Sequence, residues 1–405
     1  MGSPTPAFAS IARLAADRQV HHAFQWLHLQ EQRIMQWQRE LVSIPAPPFG
    51  ERARGEWLLA RFRELELADP HIDEAGNVVA TRAGMGPEAG RILLSAHIDT
   101  VFPAGTPIEP VQRGSRLEAP GACDNGAGVA AMLATAAALQ QARIATECGV
   151  VFIGNVGEEG EGNLSGMRHI YRNAAVRDGI RAHLVLDGAG QEATVTHALG
   201  SLRFLVTISG PGGHAWTDAG RPNPIVILSS AIHRLAEVAL PDSPRTTVNV
   251  GTIEGGTAVN AIPEQATARF DLRSTDPQQL IRLEVLLRRA VEDAVLNAGR
   301  GGRQESNGTR WKLEKIGHRP AGQLAQNSRL LEVLRAVDRH LTIRSEARVA
   351  STDANIPLSL GVPAVSIGGG GEGGGIHTFA EWYDGRGREL GLRRILLLLL
   401  AMAGS

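Results

Sequence analysis

The run Arg91-Ile-Leu-Leu-Ser-Ala96, followed at once by His97-Ile-Asp99-Thr100, decides how the rest of this chain is read. A short, nearly unbroken apolar run has the character of a strand buried on both faces, as in a parallel sheet covered by helices. The polar residues begin where the strand stops. In open α/β sheets, ligands bind in the crevice beyond the carboxyl ends of the strands. A histidine and an aspartate at that point therefore mark a candidate site.

The same grammar recurs outward from this segment. A strand over Gly149–Gly154 runs into Gly157-Glu158-Glu159-Gly160, and a strand over His183–Leu186 ends in Asp187. A fourth, Val362–Ile367, leads through the glycine-rich Gly368–Gly375 to His377. Asp124 joins them from Gly121-Ala-Cys-Asp-Asn-Gly-Ala-Gly128, a turn that opens an Ala-rich helix over Asn125–Arg143. Helical spacing is also present over Trp26–Val42 and Glu51–Glu66, separated by the helix breaker Ser43-Ile-Pro-Ala-Pro-Pro-Phe-Gly50. Asn77–Thr81 reads as a strand, Ser328–His340 as a helix, and Ile395–Met402 as a core-facing final helix too short to span a bilayer. Residues 1–25, rich in small side chains, are expected to form a loosely packed lead-in. Strands alternating with helices predict an α/β domain with a mostly parallel sheet flanked by helices.

Residues 200–317 change character. The expected order is strand Arg203–Ser209, helix Pro224–Leu240, strands Thr247–Glu254 and Thr267–Ser274, helix Pro277–Asn297 and strand Trp311–Ile316. That is the β-α-β-β-α-β order of a ferredoxin-like unit. The chain is thus expected to comprise an α/β domain in two parts, residues 1–199 and 318–405, with an α+β domain inserted between them. A chain of 405 residues exceeds what one core comfortably supports, which agrees with two domains.

Composition narrows the function. A net charge of -1 lacks the basic excess of a nucleic-acid binder, and no membrane partner is expected. Two cysteines, Cys123 and Cys148, cannot build a disulfide framework or a zinc ribbon. Arg13, Asp17 and Arg18 interrupt any secretory signal, so the expected location is cytoplasmic. Gly368–Gly375 lacks the Lys-Ser/Thr ending of a phosphate-binding loop.

Mixed imidazole and carboxylate groups suit zinc and similar ions. Two histidines with several carboxylates exceed the needs of one tetrahedral ion, whereas two ions sharing a bridging carboxylate would use them all. A glutamate adjacent to a ligand glutamate is then available as a general base. Each residue also has a plainer reading: Asp124 as a helix cap, His214 as lining of a glycine turn, Asn260 as a hairpin turn, Arg273 as a surface partner. His233 reads as ordinary helix packing, and His21, His22 and His28 as exposed helical residues.

Taken together, His97-Ile-Asp99-Thr, Asp124-Asn, Gly157-Glu-Glu159, Asp187, Gly212-Gly-His214-Ala, Asn260-Ala-Ile-Pro263, Phe270-Asp-Leu-Arg273, Ser351-Thr-Asp-Ala-Asn355 and Ile376-His377-Thr resemble the M20 family of metallopeptidases and deacylases. The resemblance runs in family order from about residue 30 to the C-terminus. It implies two divalent metal ions, zinc first, with manganese or cobalt as alternatives. His97 and Asp187 would hold one ion, Glu159 and His377 the other, and Asp124 would bridge them. Asp99 would orient the His97 imidazole, and Glu158 would be the general acid/base. The Asp124–Asn125 peptide would be cis. The inserted domain would be a lid and the contact of a homodimer. His214 would stabilise the oxyanion, while Asn260, Arg273 and the backbone at Gly368 and Gly369 would bind substrate. Aspartate at position 187 is associated with the aminopeptidase and dipeptidase side of the family. The implied activity is thus amide hydrolysis in small peptides. The alternatives are an N-acyl-amino-acid deacylase or carboxypeptidase with the same site and, more remotely, a non-catalytic peptide-binding dimer.

Overall fold

A computed structural model describes residues 6–86, 90–172, 174–300 and 308–404. The chain divides into two compact units, residues 1–198 with 323–405, and residues 199–322.

In the first unit, four parallel strands lie side by side in the order Gly149–Asn155, Arg91–His97, Ile180–Leu186 and Ala364–Ile367. Val78–Arg82 and Ala68–Ile72 extend one side in antiparallel fashion, and Ala193–Ala198 extends the other. Alternation along each strand sends side chains to two apolar layers. Ile92, Leu94, Phe152 and Leu184 enter one core, while Leu93, Ile153 and Ile180 enter the other. The helix Gly126–Gln141 packs on the first face, and its run of alanines lets it lie close to the strands. The final helix Arg388–Ala403 packs beside it, as its leucines predict. Arg394, fully buried in that helix, donates two hydrogen bonds to Asp338 at 2.6 and 2.8 Å and a third to Thr194. A buried guanidinium needs such a fork of acceptors.

The N-terminal expectation is overturned. Residues 1–5 lie outside the described part, but Pro6–Ala15 and Arg18–Leu29 are helices, not a loose lead-in. Ile11, Val20, Phe24 and Leu27 join the main core at helical spacing, and Asp17 caps the second helix through the Gln19 and Val20 amides. The single helix expected over Trp26–Val42 breaks at Gln30, where a second one, Glu31–Val42, begins.

The second unit is a four-stranded antiparallel sheet in the order Thr246–Gly255, Gln265–Ser274, Gly200–Ser209 and Arg310–Arg319, with helices Pro224–Ala236 and Pro277–Arg300. The ferredoxin-like order is therefore present. Alternating burial along Gly200–Ser209 and Gln265–Ser274 places one face against the helices. The boundary expected at 317 falls inside a strand, because Arg319 still pairs with Ser201. His233 is exposed beside Glu237 at 3.3 Å and is not packed in a core.

Among the buried titratable groups of the first unit's sheet is a histidine. His183 is fully buried, with Nδ1 2.8 Å from the Tyr171 hydroxyl and Nε2 2.8 Å from Ser95 Oγ. Burial pushes its pKa down to about 3, so the folded chain keeps the ring neutral. The unfolded chain, with a histidine pKa near ~6.5, binds a proton that the fold refuses. This contribution to stability is fully present above that value and declines by about 1.4 kcal/mol per pH unit below it. Urea unfolding between neutral pH and pH ~5 should accordingly show a shallower acid decline in His183→Gln than in the native chain. Equal slopes would show that His183 is not the group responsible.

Candidate metal centre

The carboxyl ends of the parallel strands bring together His97, Glu158, Glu159 and Asp187, and the turn before the Ala-rich helix adds Asp124. His97 is the last residue of its strand and is almost fully buried. Its Nε2 lies 3.0 Å from Asp124 Oδ1 and 4.0 Å from Asp187 Oδ1. On the other side, His377 Nε2 lies 3.2 Å from Asp124 Oδ2 and 3.1 Å from Glu159 Oε1. The two oxygens of Asp124 thus face different histidines. Two triads within ligating distance share that carboxylate: His97, Asp124 and Asp187, and Asp124, Glu159 and His377. A third group, His97 with Glu158 and Glu159, overlaps both. The spacing and the nitrogen and oxygen donors fit a pair of divalent ions of the zinc type.

Local structure explains the placement. The Asp124–Asn125 peptide is cis, as the resemblance implied. Asn125 caps the helix through the Gly128 amide at 3.1 Å and also accepts from the Gly188 amide at 3.0 Å. Its Nδ2 donates to the Leu186 carbonyl, which ties the Asp124 turn to the strand end that bears Asp187. Gly157 has φ of 64°, and a Cβ there would clash with Ser165 Oγ. Only glycine lets the chain turn so tightly before Glu158 and Glu159.

Asp99 does more than the resemblance implied. Its carboxylate lies 3.5 Å from His97 Nδ1, but its own carbonyl is the closer acceptor at 3.2 Å. The carboxylate accepts the amides of Glu158 at 3.1 Å and Glu159 at 2.8 Å. It therefore fixes the glutamate turn as well as facing the imidazole.

Electrostatics point the same way. Burial, then Glu158 and Asp124, push the Glu159 carboxyl up to about 8. Burial, then Glu158, likewise push Asp353 up to about 8. Burial opposes charge on Asp124, yet its hydrogen bonds to His377 and His97 outweigh it and hold the group below the usual carboxylate range. The Asp124 hydrogen bond also raises His377, to about 9. Glu159 and Asp353 rise because each is buried beside other carboxylates, a condition that added cations would relieve.

Other expected residues are placed as follows. In the second unit, His214 and Asn260 meet across a hairpin: His214 pairs with Ala261, and the Ala215 amide donates to the Asn260 carbonyl. His214 Nδ1 accepts the Trp216 and Thr217 amides at 3.2 and 3.4 Å, which leaves Nε2 as the protonated donor of a neutral ring. Arg273 donates to Asp271 on its own strand at 2.7 Å. At Gly369 an expectation is corrected. The Gly369 amide is spent on the Gly188 carbonyl, and a Cβ on Gly369 would meet the Ala127 carbonyl oxygen at 2.7 Å. Glycine is required at position 369 by close chain packing.

Several groups in the site were not singled out from sequence. Asp353, within the quoted Ser351–Asn355 stretch, is fully buried and accepts from Asn155 Nδ2 at 2.6 Å. Arg54 is buried and donates to the Ile44 and Ile98 carbonyls. Glu51 accepts the Gly157 amide, and Glu381 accepts amides of the Asp124 turn. Each is one polar residue in a helix or loop, with no spacing signal of its own.

Comparison with known proteins says what class of protein carries this arrangement. The model of peptidase family M20/M25/M40 matches residues 93–401. The chain belongs to that family. It is 28% identical over 289 residues to a probable carboxypeptidase of Paracoccidioides brasiliensis (strain Pb18), covering 64% of each chain. A tripeptidase from Staphylococcus aureus subsp. aureus Mu50 superimposes with a TM-score of 0.77 at 24% identity, over 93% of this chain and 99% of that one. YxeP of Bacillus subtilis, a dinuclear metal-binding peptidase of the M20 family, superimposes with a TM-score of 0.69 at 19% identity, over 93% and 99%.

Asp99 offers a direct check on the geometry. Asp99→Asn replaces one acceptor oxygen by an amide donor that faces a backbone N–H, at a cost of about 1–3 kcal/mol for the unsatisfied group. Urea unfolding in the presence of chelator should register that loss, whereas an unchanged midpoint would rule out the double acceptor role.

Proposed function

We propose that this chain hydrolyses amide bonds of small peptides, in the manner of an aminopeptidase or dipeptidase, with two divalent cations, zinc in the first instance. The observation that carries this reading is the Asp124 carboxylate, with one oxygen turned to His97 and the other to His377. His97, Asp187 and one Asp124 oxygen would hold one ion, and His377, Glu159 and the other oxygen the second. When bound, such ions polarise the scissile carbonyl and lower the pKa of water from ~15.7 towards ~7.

The chain's own groups do the rest. Glu158 follows the strand that ends at Asn155, and its backbone is held by Asp99. Its carboxylate takes the proton of the attacking water. It then returns that proton to the leaving amine as the C–N bond breaks. In the second unit, the Nε2–H of His214 is the kind of donor that suits a developing oxyanion. Asn260 and Arg273 are assigned to substrate carbonyl or carboxylate, Arg273 by its forked donors. Pairing of two copies is assigned to the second unit, whose strand Thr246–Gly255 presents an unpaired edge among the described residues.

Support for a peptide substrate comes from the fold shared with the tripeptidase and from Asp187. The relative named a probable carboxypeptidase favours a second reading, in which the same site acts at the carboxyl end or on an N-acyl amino acid. A panel of free di- and tripeptides, N-blocked dipeptides and N-acyl amino acids separates the two. Turnover of N-blocked substrates alone would overturn the aminopeptidase assignment.

Two outcomes test the machinery. The native chain should carry two divalent ions per chain by elemental analysis, and turnover should disappear on chelation and return with zinc or manganese. Glu158→Gln should retain both ions while kcat falls by about 10²–10⁴-fold, the usual worth of a general acid/base. Native-like turnover by Glu158→Gln would remove Glu158 from the mechanism.

A further inference from the structure

The turn that carries Asp124 is held from behind by a single side chain. Glu381 is almost fully buried. Its Oε1 accepts the amides of Cys123 at 2.8 Å and Asp124 at 2.7 Å, and its Oε2 accepts the amide of Gly121 at 2.8 Å. Its own carbonyl accepts the Ala119 amide at 3.0 Å, so the clamp grips both ends of the turn. Three backbone donors on one carboxylate leave the turn little freedom, because they fix peptide planes on either side of Ala122. One of those planes belongs to Asp124 itself.

Glu381 also sits in the same short turn as His377. The Glu381 amide donates to the Thr378 carbonyl, and the Thr378 amide donates to the Gly375 carbonyl. One loop therefore delivers a candidate ligand from its beginning and clamps the shared ligand from its end. Glu381 is thereby linked to Asp124 twice: through the Asp124 backbone amide, and through the turn that carries His377, which faces Oδ2.

We propose that Glu381 is a positioning residue of the metal centre, whose carboxylate presets Asp124 in the bridging orientation. This rests on the two-cation reading given above. Backbone clamping alone could serve only the fold, so the discriminating quantity is cation affinity in a chain that still folds. Residues that orient ligands from behind typically alter metal affinity or activity by about 10–100-fold when replaced.

The test uses the full chain, with zinc as the probe, in competition with a chelator of known affinity. Glu381→Gln keeps the side chain's size but turns one acceptor into a donor facing an amide. It should fold, with an unchanged circular-dichroism spectrum, and should bind at least one zinc ion about 10–100-fold more weakly than the native chain. Raising free zinc should restore much of its turnover. The control Glu118→Gln, at a half-buried surface residue paired with Arg116, should bind zinc as the native chain does. Native affinity and stoichiometry in Glu381→Gln, with only a lower unfolding temperature, would overturn the proposal and leave Glu381 a purely structural group. Should the variant fail to fold, hydrogen exchange on the native chain decides instead. Amides 121, 123 and 124 are expected to be protected before zinc is added, and free exchange until zinc binds would overturn the clamp. If the native chain binds no divalent cation, it is the two-cation reading that fails. If the native chain binds two and the variant binds them equally well, only the role of Glu381 fails.

Discussion

Carboxylates accepting backbone amides organise the catalytic unit. Asp99 holds the Glu158–Glu159 turn, Glu51 holds Gly157, and Glu381 holds the Asp124 turn. A carboxylate is suited to this because, when ionised, it only accepts, and each oxygen takes two donors. The positions of the ligating groups therefore follow from main-chain hydrogen bonds, and main chain is stiffer than side chain.

Magnitudes explain why so many buried charges are tolerable. Burying an unpaired carboxylate costs several kcal/mol. A hydrogen bond to a charged group contributes roughly 1.5–3 kcal/mol, so the three amides on Glu381 come close to offsetting that penalty. Glu159 and Asp353 are less well provided, and burial raises both carboxyls. Arg54 contributes a wholly buried cation that lies in the field of both Asp99 and Glu381, at the cost of its own desolvation. The balance still leaves the pocket rich in acceptors. Asp99, Glu51 and Glu381 accept backbone amides, whereas Asp124 and Glu159 face the histidines His97 and His377.

That division sets what could be read from sequence. A strand followed by a His or an acid is a local pattern, so His97, Glu158, Glu159 and Asp187 were legible as strand-end groups, and Asp124 as the opening of a helix. The ferredoxin-like order of the second unit was legible from its succession of strand and helix segments. Glu381 was not, because its partners lie about 260 positions away in the chain. The N-terminal helices were missed for a different reason. Their small residues resemble a tail until Ile11, Val20, Phe24 and Leu27 are seen on one buried face. Gly369 misled because glycine serves two ends, and its role here is set by the Ala127 carbonyl oxygen behind it.

The pre-held turns also bear on what bound cations would do. In small zinc domains the site is absent without metal, and binding energy is folding energy. Here the turns are fastened by Asp99, Glu381 and Asn125, and the strands beneath them pack into two apolar layers that need no ion. The fold can thus stand on its own core and hold surplus carboxylates in place. Cation binding would then relieve a charge imbalance that folding has already created, and need not supply the fold.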